Sequence, residues 1–278
     1  MGLFSDMGKF GLGKYENTDI YAEDKKAEAE KKAAAAPVVR VEEDFLYDKH
    51  YECPVCGAQF MAKAVKAGRI KSVGKDTDLR PYYDYLDPLK YDIIACDRCG
   101  YSAITRYFGK LSTRQAKEVR QEIGANFSGF ETGMTKLSYD DAILRYKLAV
   151  ITSMVKKAKN SEKAYTCLKL AWVIRGKRKT LDVNDPEVKS LYDDELECLS
   201  NAYEGFVNAI STEPFPIAGM DENTLKYILA DLARKLKKYE ESARLIAAVL
   251  QSRGASSRLK DETLKLKEML KEEMKKNQ

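Results

Sequence analysis

Cys53-Pro54-Val55-Cys56-Gly57 and Cys96-Asp97-Arg98-Cys99-Gly100 decide how this chain is read. Each places two thiols three residues apart ahead of a glycine, which relaxes a tight turn so that backbone amides can approach the sulfurs. Two such knuckles brought together supply four sulfurs at tetrahedral positions, the ligand set of a closed zinc site. Metal ligation is therefore expected at Cys53, Cys56, Cys96 and Cys99. Zinc (Zn2+) is the expected ion. Iron in a rubredoxin-like site stays open, because both metals accept four thiolates. A thioredoxin-like redox pair fits less well, since two pairs in a ribbon context favour a metal. A module this small is marginal without metal, a shortfall that roughly 10–16 kcal/mol of structural zinc binding outweighs.

Between the knuckles, Gln59 to Val65 and Arg69 to Val73 read as a hairpin around Ala67-Gly68. Asp76 to Leu89 carries two prolines and several aspartates, which argue against a regular helix. Its Tyr and Leu residues are expected to pack over the metal module. Asp76, Asp78, Asp84 and Asp87 lack the spacing of a calcium loop and read as turn residues. Tyr91 to Ala95 reads as a strand that delivers the second knuckle. Upstream, the first twenty residues hold Leu3, Phe4, Met7, Phe10 and Leu12 among glycines, a floppy terminus or a short docking peptide. Ala22 to Ala36 is nearly all Ala, Glu and Lys with no apolar stripe, a solvated and partly helical spacer.

After Leu111 the hydrophobic period changes from two to about 3.6. Helices are expected from a Ser112 cap toward Phe127, from Tyr139 to about Lys157, and from Asn160-Ser161 through Arg175. Further helices follow from Asn184-Asp185-Pro186, from Asp221, from Tyr239 to Gln251 and from Ser256. Ala142, Tyr146 and Ala149 carry the second-helix spacing of a tetratricopeptide repeat, and Ala202, Phe206 and Ala209 echo it. Leu229 to Val249 fits a whole repeat, with Ser242 where alanine is usual. Basic clusters at Lys156-Lys157, Arg175 to Lys179 and Arg234 to Lys238 sit near helix C-termini, where positive charge complements the macrodipole. Trp172 and Tyr146 read as packing residues rather than a base-stacking platform.

The 278 residues carry 48 basic and 43 acidic side chains, a net charge of +5 too mild and too interspersed to imply nucleic acid. Six cysteines with no disulfide framework point to a reducing compartment; Cys167 and Cys198 stand singly in helices as small buried residues. The start lacks the charged region and apolar run of a signal peptide and has Asp6 where myristoylation wants a hydroxyl. No apolar run spans a membrane. The single histidine, His50, reads as a surface residue; one histidine removes most acid–base and nucleophilic constellations, and no phosphate loop is present.

The knuckles, together with Asp78-Leu79-Arg80-Pro81, Asp87-Pro88-Leu89-Lys90-Tyr91-Asp92, Gly100-Tyr101, Arg106-Tyr107-Phe108 and the run from Ala164-Tyr165 to Ala171-Trp172, resemble the bacterial domain of unknown function 2225 family. The resemblance covers roughly residues 45 to 250. It implies a cytosolic bacterial protein with a cysteine metal module and a tetratricopeptide-like helical region, and it implies no activity.

The expected architecture is mainly α: a small zinc-ribbon-like β module followed by an α-helical tetratricopeptide-like repeat domain. Residues 1–37 form a tail and spacer, 38–110 the ribbon-like module and 111–278 the helical domain. The expected function is non-enzymatic: a cytoplasmic binding or scaffold protein that holds a protein or peptide partner on its helices, without membrane insertion. The alternative is nucleic-acid binding through Lys63, Lys66, Arg69 and Lys71 of the ribbon, and after it an iron redox protein.

Overall fold

The computed structural model describes residues 7–15, 19–27, 40–130 and 133–276. Residues 1–40 and 41–278 are separate compact units. In the first, 3-10 turns at Met7–Phe10 and Gly13–Tyr15 precede a short helix over 22–27, with Phe10 and Tyr21 exposed. Leu3, Phe4 and most of the Ala/Glu/Lys spacer lie outside the described residues.

The second unit is mainly helical, with three antiparallel strand pairs at its N-terminal end. Strand β1 (Leu46–Glu52) pairs with β2 (Gln59–Val65), β3 (Ser72–Lys75) with β4 (Pro81–Tyr83), and β5 (Ile93–Ala95) with β6 (Ser102–Ile104). The hairpin expected between Gln59–Val65 and Arg69–Val73 is therefore not formed. The first knuckle is itself the loop that sets Glu52 opposite Gln59, and Ala67–Arg69 makes a 3-10 turn instead.

Among the described residues seven helices follow: α1 (Thr113–Val119), α2 (Tyr139–Val155), α3 (Asn160–Arg178), α4 (Glu187–Thr212), α5 (Glu222–Lys235), α6 (Tyr239–Gln251) and α7 (Ser257–Lys276). Ser112 and Ser138 cap α1 and α2 with reciprocal capping boxes, and Asp221 caps α5. A π turn over Arg120–Gly124 prolongs α1. From α2 onward each helix packs on the next in sequence. The triads Ala142, Tyr146, Ala149; Ala202, Phe206, Ala209; and Ser242, Ile246, Val249 are each at most 3% exposed. That burial is compatible with the repeat rhythm: small residues bring helices close and larger ones fill the gap. Helix α3 is central, with every residue from Thr166 to Gly176 buried.

One core joins strands and helices. Leu89, Ile93 and Ile104 lie in the same apolar cluster as Tyr146, Leu168 and Trp172, and the Tyr146 hydroxyl donates to the Leu89 carbonyl at 3.1 Å. Leu86 instead packs with Phe45, Leu46 and Tyr91. The loop's leucines thus cover the helices and a separate small cluster rather than the cysteines, because Asp76 and Asp78 at the head of the loop are tied to α3.

Those aspartates are not simple turn residues. Asp78, fully buried, receives both Nη atoms of Arg175 at 3.0 and 2.6 Å and Nζ of Lys235 at 2.7 Å. Arg175 Nη1 also donates to Asp76 at 2.9 Å and its Nε to Glu195 at 2.6 Å. Thr77 bonds Asp231 of α5 at 2.7 Å, and Arg80 bonds Asp87 at 2.7 Å. Gly176 is required where this loop crosses α3: a Cβ there would stand 2.6 Å from the Tyr139 ring and 2.8 Å from the Arg80 guanidinium. The basic clusters read as helix-end charges accordingly hold buried members, Arg175, Arg234 and Lys156, that pair with named carboxylates.

Burial alone opposes ionisation of Asp78, but Lys235 and Arg175 override it and hold the carboxyl well below the usual carboxylate range. A depressed folded-state value gives stability that is present above the unfolded pKa of about 3.9 and is lost as pH falls below it. Asp78→Ala removes the fully buried carboxylate that Arg175 and Lys235 share, leaving Asp76 and Glu195 on the one and Asp231 on the other, and about 3 kcal/mol of stability should go with it in urea denaturation at pH 7. Asp78→Asn should flatten the loss of stability between pH 4 and pH 2 relative to wild type; parallel profiles would refute the pairing.

Candidate metal centre

Both knuckles are built alike. The amide of Cys53 donates to the Ala58 carbonyl at 2.9 Å and that of Gly57 to the Cys53 carbonyl at 2.9 Å. In the second, Cys96 donates to Tyr101 at 2.9 Å and Gly100 to Cys96 at 3.0 Å. Gly57 and Gly100 sit at φ 72° and 71°, a left-handed conformation that a side chain would strain. The β1–β2 and β5–β6 hairpins carry these turns as their loops.

The four sulfurs converge. Cys53 and Cys99 lie 3.6 Å apart, Cys56 and Cys96 3.7 Å apart, and all four Sγ atoms fall within 4.8 Å of one another. All four cysteines are free thiols. Metal–sulfur bonds of about 2.3 Å at tetrahedral angles set sulfurs about 3.8 Å apart, so the residues fit a four-thiolate ion. Cys53, Cys96 and Cys99 are buried and Cys56 is partly so. The Val55 and Cys56 amides face the Cys53 sulfur, and those of Arg98 and Cys99 face Cys96.

The electrostatics favour a cation. The Cys53 and Cys99 thiols beside it, then the Cys99 and Arg98 amides, hold Cys96 below the ordinary thiol range. Cys53 and Cys99 are pushed up by the same crowding of sulfurs and by burial. The first thiolate therefore blocks its neighbours from ionising, and a bound dication is what allows all four to do so.

Helix α1 and its π turn close one side. Val119 and Ile123 pack in the cluster that contains Cys53, Cys96 and Cys99, and Gly124 lies against Cys99. Arg120 donates through Nε to the Val55 carbonyl at 3.1 Å, clamping the first knuckle. On another side Tyr51, Phe60, Phe108 and Tyr101 form a continuous aromatic cluster of largely edge-on contacts, pinned by the Tyr101 hydroxyl to the Phe108 carbonyl at 2.7 Å. None of these supports was visible in the cysteine spacing. Arg120 and Ile123 sit on a helix read only for its cap, and nothing local to them says that it docks on the ribbon.

His50 is exposed on β1. Cys167 and Cys198 stand apart from the cluster, their thiols pushed up to about 11 and about 12 by burial, as inert packing residues. Lys63 pairs with Asp48 at 2.9 Å and Lys66 donates to the Asp44 carbonyl at 3.0 Å, while Arg69 and Lys71 are exposed.

Residues 46–276 match the family described as "Uncharacterized protein conserved in bacteria (DUF2225)", and the chain belongs to it. The match runs past residue 250 into α7. No curated protein and no solved structure matches the chain. Among the described residues, no helix is long and apolar enough to cross a membrane.

The two glycines provide a graded test. A Cβ on Gly57 meets nothing within 4 Å, whereas one on Gly100 would stand 2.6 Å from the Phe127 ring. Gly57→Ala should cost about 1–2 kcal/mol, the left-handed penalty alone, and Gly100→Ala distinctly more by thermal denaturation. Equal costs would show that Phe127 yields freely.

Proposed function

We propose that this member of the DUF2225 family is a non-enzymatic binding or scaffold protein whose ribbon is locked by a structural zinc ion on Cys53, Cys56, Cys96 and Cys99. The observation that carries this reading is the convergence of four mostly buried sulfurs within 4.8 Å. With four protein ligands the coordination sphere is complete and no position is left for a substrate. Bound there, the ion supplies crosslinking and charge neutralisation. The chain's own amides stabilise the thiolates, and Arg120 and the aromatic cluster keep the knuckles together.

The partner surface is assigned to the helices. Leu144, Ile151 and Met154 of α2 are 56%, 48% and 62% exposed and lie along one side of that helix. Beside them a cavity of about 250 Å³ is lined by Val150, Leu170 and Ile174. Exposed apolar side chains grouped on one side of a helix, rather than scattered singly, support a partner-binding reading. A cytoplasmic, reducing setting suits six cysteines that are all free.

Metal analysis of natively expressed protein should give one zinc per chain; iron, with a coloured protein, would replace the structural reading with a redox one. Cys96→Ser should release the metal and speed proteolysis first between residues 50 and 100. Near-wild-type digestion would oppose it. Crosslinked capture from the native cytoplasm should recover a specific protein that Ile151→Asp with Met154→Asp reduces at least tenfold in yield. Recovery of bulk chaperones alone would count against the binding role.

A further inference from the structure

A groove of about 390 Å³ lies between the two cysteine hairpins on one side and Phe130, Met134 and Leu137 on the other. Phe60, Met61, Ala62 and Lys63 follow one another along one wall. Side chains alternate on a strand, so four successive residues border a cavity where the strand's edge turns toward it. β2 pairs with β1 alone in a two-stranded sheet, and residues 60–63 make no backbone hydrogen bond outside that ladder among the described residues. The edge therefore offers unpaired N–H and C=O groups to the groove.

The same groove holds Arg145, whose side chain is only 11% exposed. Its Nη1 donates to the Asp141 carbonyl at 2.9 Å. Asp141 Oδ1 stands 3.7 Å away, an ion pair beyond good hydrogen-bond length, while its Oδ2 accepts from the Ser138 amide at 2.9 Å and hydroxyl at 2.6 Å. Nε and Nη2 have no hydrogen-bond partner among the described residues. The guanidinium lies 4.7 Å from the Phe130 ring centroid, a platform that leaves its donor edge free. Burial draws its pKa below the ordinary value and Asp141 offsets only part of that. Of the rim acids, Asp48 is taken by Lys63 at 2.9 Å and Asp97 is exposed. A largely desolvated cation with two free donors, beside an unpaired strand edge, is matched by one kind of ligand.

We propose that this groove binds an extended acidic peptide, whose backbone adds a strand along the free edge of β2 while a carboxylate takes the free donors of Arg145 above Phe130. Main-chain pairing would supply affinity and the planar carboxylate–guanidinium contact would select the acidic residue. Met61, 60% exposed beside the groove, offers an adaptable apolar contact to the flanking side chains. This surface is distinct from the helical face proposed above, and either can fail without the other.

The test is selection of a random heptapeptide display library on the full, metal-loaded chain, followed by fluorescence anisotropy with the peptides enriched. Enriched peptides should carry Asp or Glu, and replacing that residue by its amide should weaken binding at least tenfold. N-methylation of alternate peptide amides, in one of the two phases, should abolish binding. Arg145→Gln should remove the preference for acid over amide, with Arg145→Lys restoring part of it; Ile151→Asp with Met154→Asp should leave it unchanged. If Arg145→Gln does not fold, the acid-to-amide comparison on wild type still decides. No enrichment, enrichment without acidic residues, or indifference to N-methylation in both phases would overturn the proposal.

Discussion

A carboxylate buried with its charge, Asp78 between Arg175 and Lys235, holds the rest of the structure in place. It lies on the loop between the two knuckles, and its partners lie on α3 and α5. Removing charges from water is expensive, and the cost is recovered only if geometry and hydrogen bonding are complete. Here Asp76, Glu195 and Asp231 complete the set around the two cations. The loop can therefore take one position against the helices, which fixes where the second hairpin starts and how its knuckle meets the first.

The four sulfurs depend on that placement from a distance. Strand β5 follows the anchored loop directly, and Ile93 on it is buried among the helices while Ile94 is buried with the cysteines. Adjacent residues on a strand face opposite sides, so this short segment is gripped on both. Helix α1 completes the enclosure through Val119 and Ile123. The four-sulfur cluster is thus walled by two hairpins and one helix that come from separate stretches of chain. Walls that hold the sulfurs close lower the ordering cost that an ion bound there would otherwise have to meet.

Much of this was legible in the sequence, and the division follows the range of the interactions. The knuckles were clear because the chemistry is local: two thiols, a turn and a glycine. Helix starts at Ser112, Tyr139 and Asp221 were close to the mark because a cap is satisfied within three residues. Strand pairing was not, because Leu46–Glu52 alternates poorly and its partner is chosen by the knuckle turn rather than by Ala67-Gly68. The Asp78–Arg175 pair spans 97 positions and has no local signature. One signal was available: Arg175 recurs at the apolar spacing of α3, where a charged residue can remain only with buried partners.

The tight fit of the hairpins to the helices also decides how separable the pieces are. Leu89, Ile93 and Ile104 lie on the cysteine module yet belong to the helical core. Cut out alone, the module would turn these side chains to water, and the helices would lose the surface that covers Tyr146 and Leu168. The ribbon is thus no cartridge that recombination could move intact to another chain. It and the helices must be inherited together.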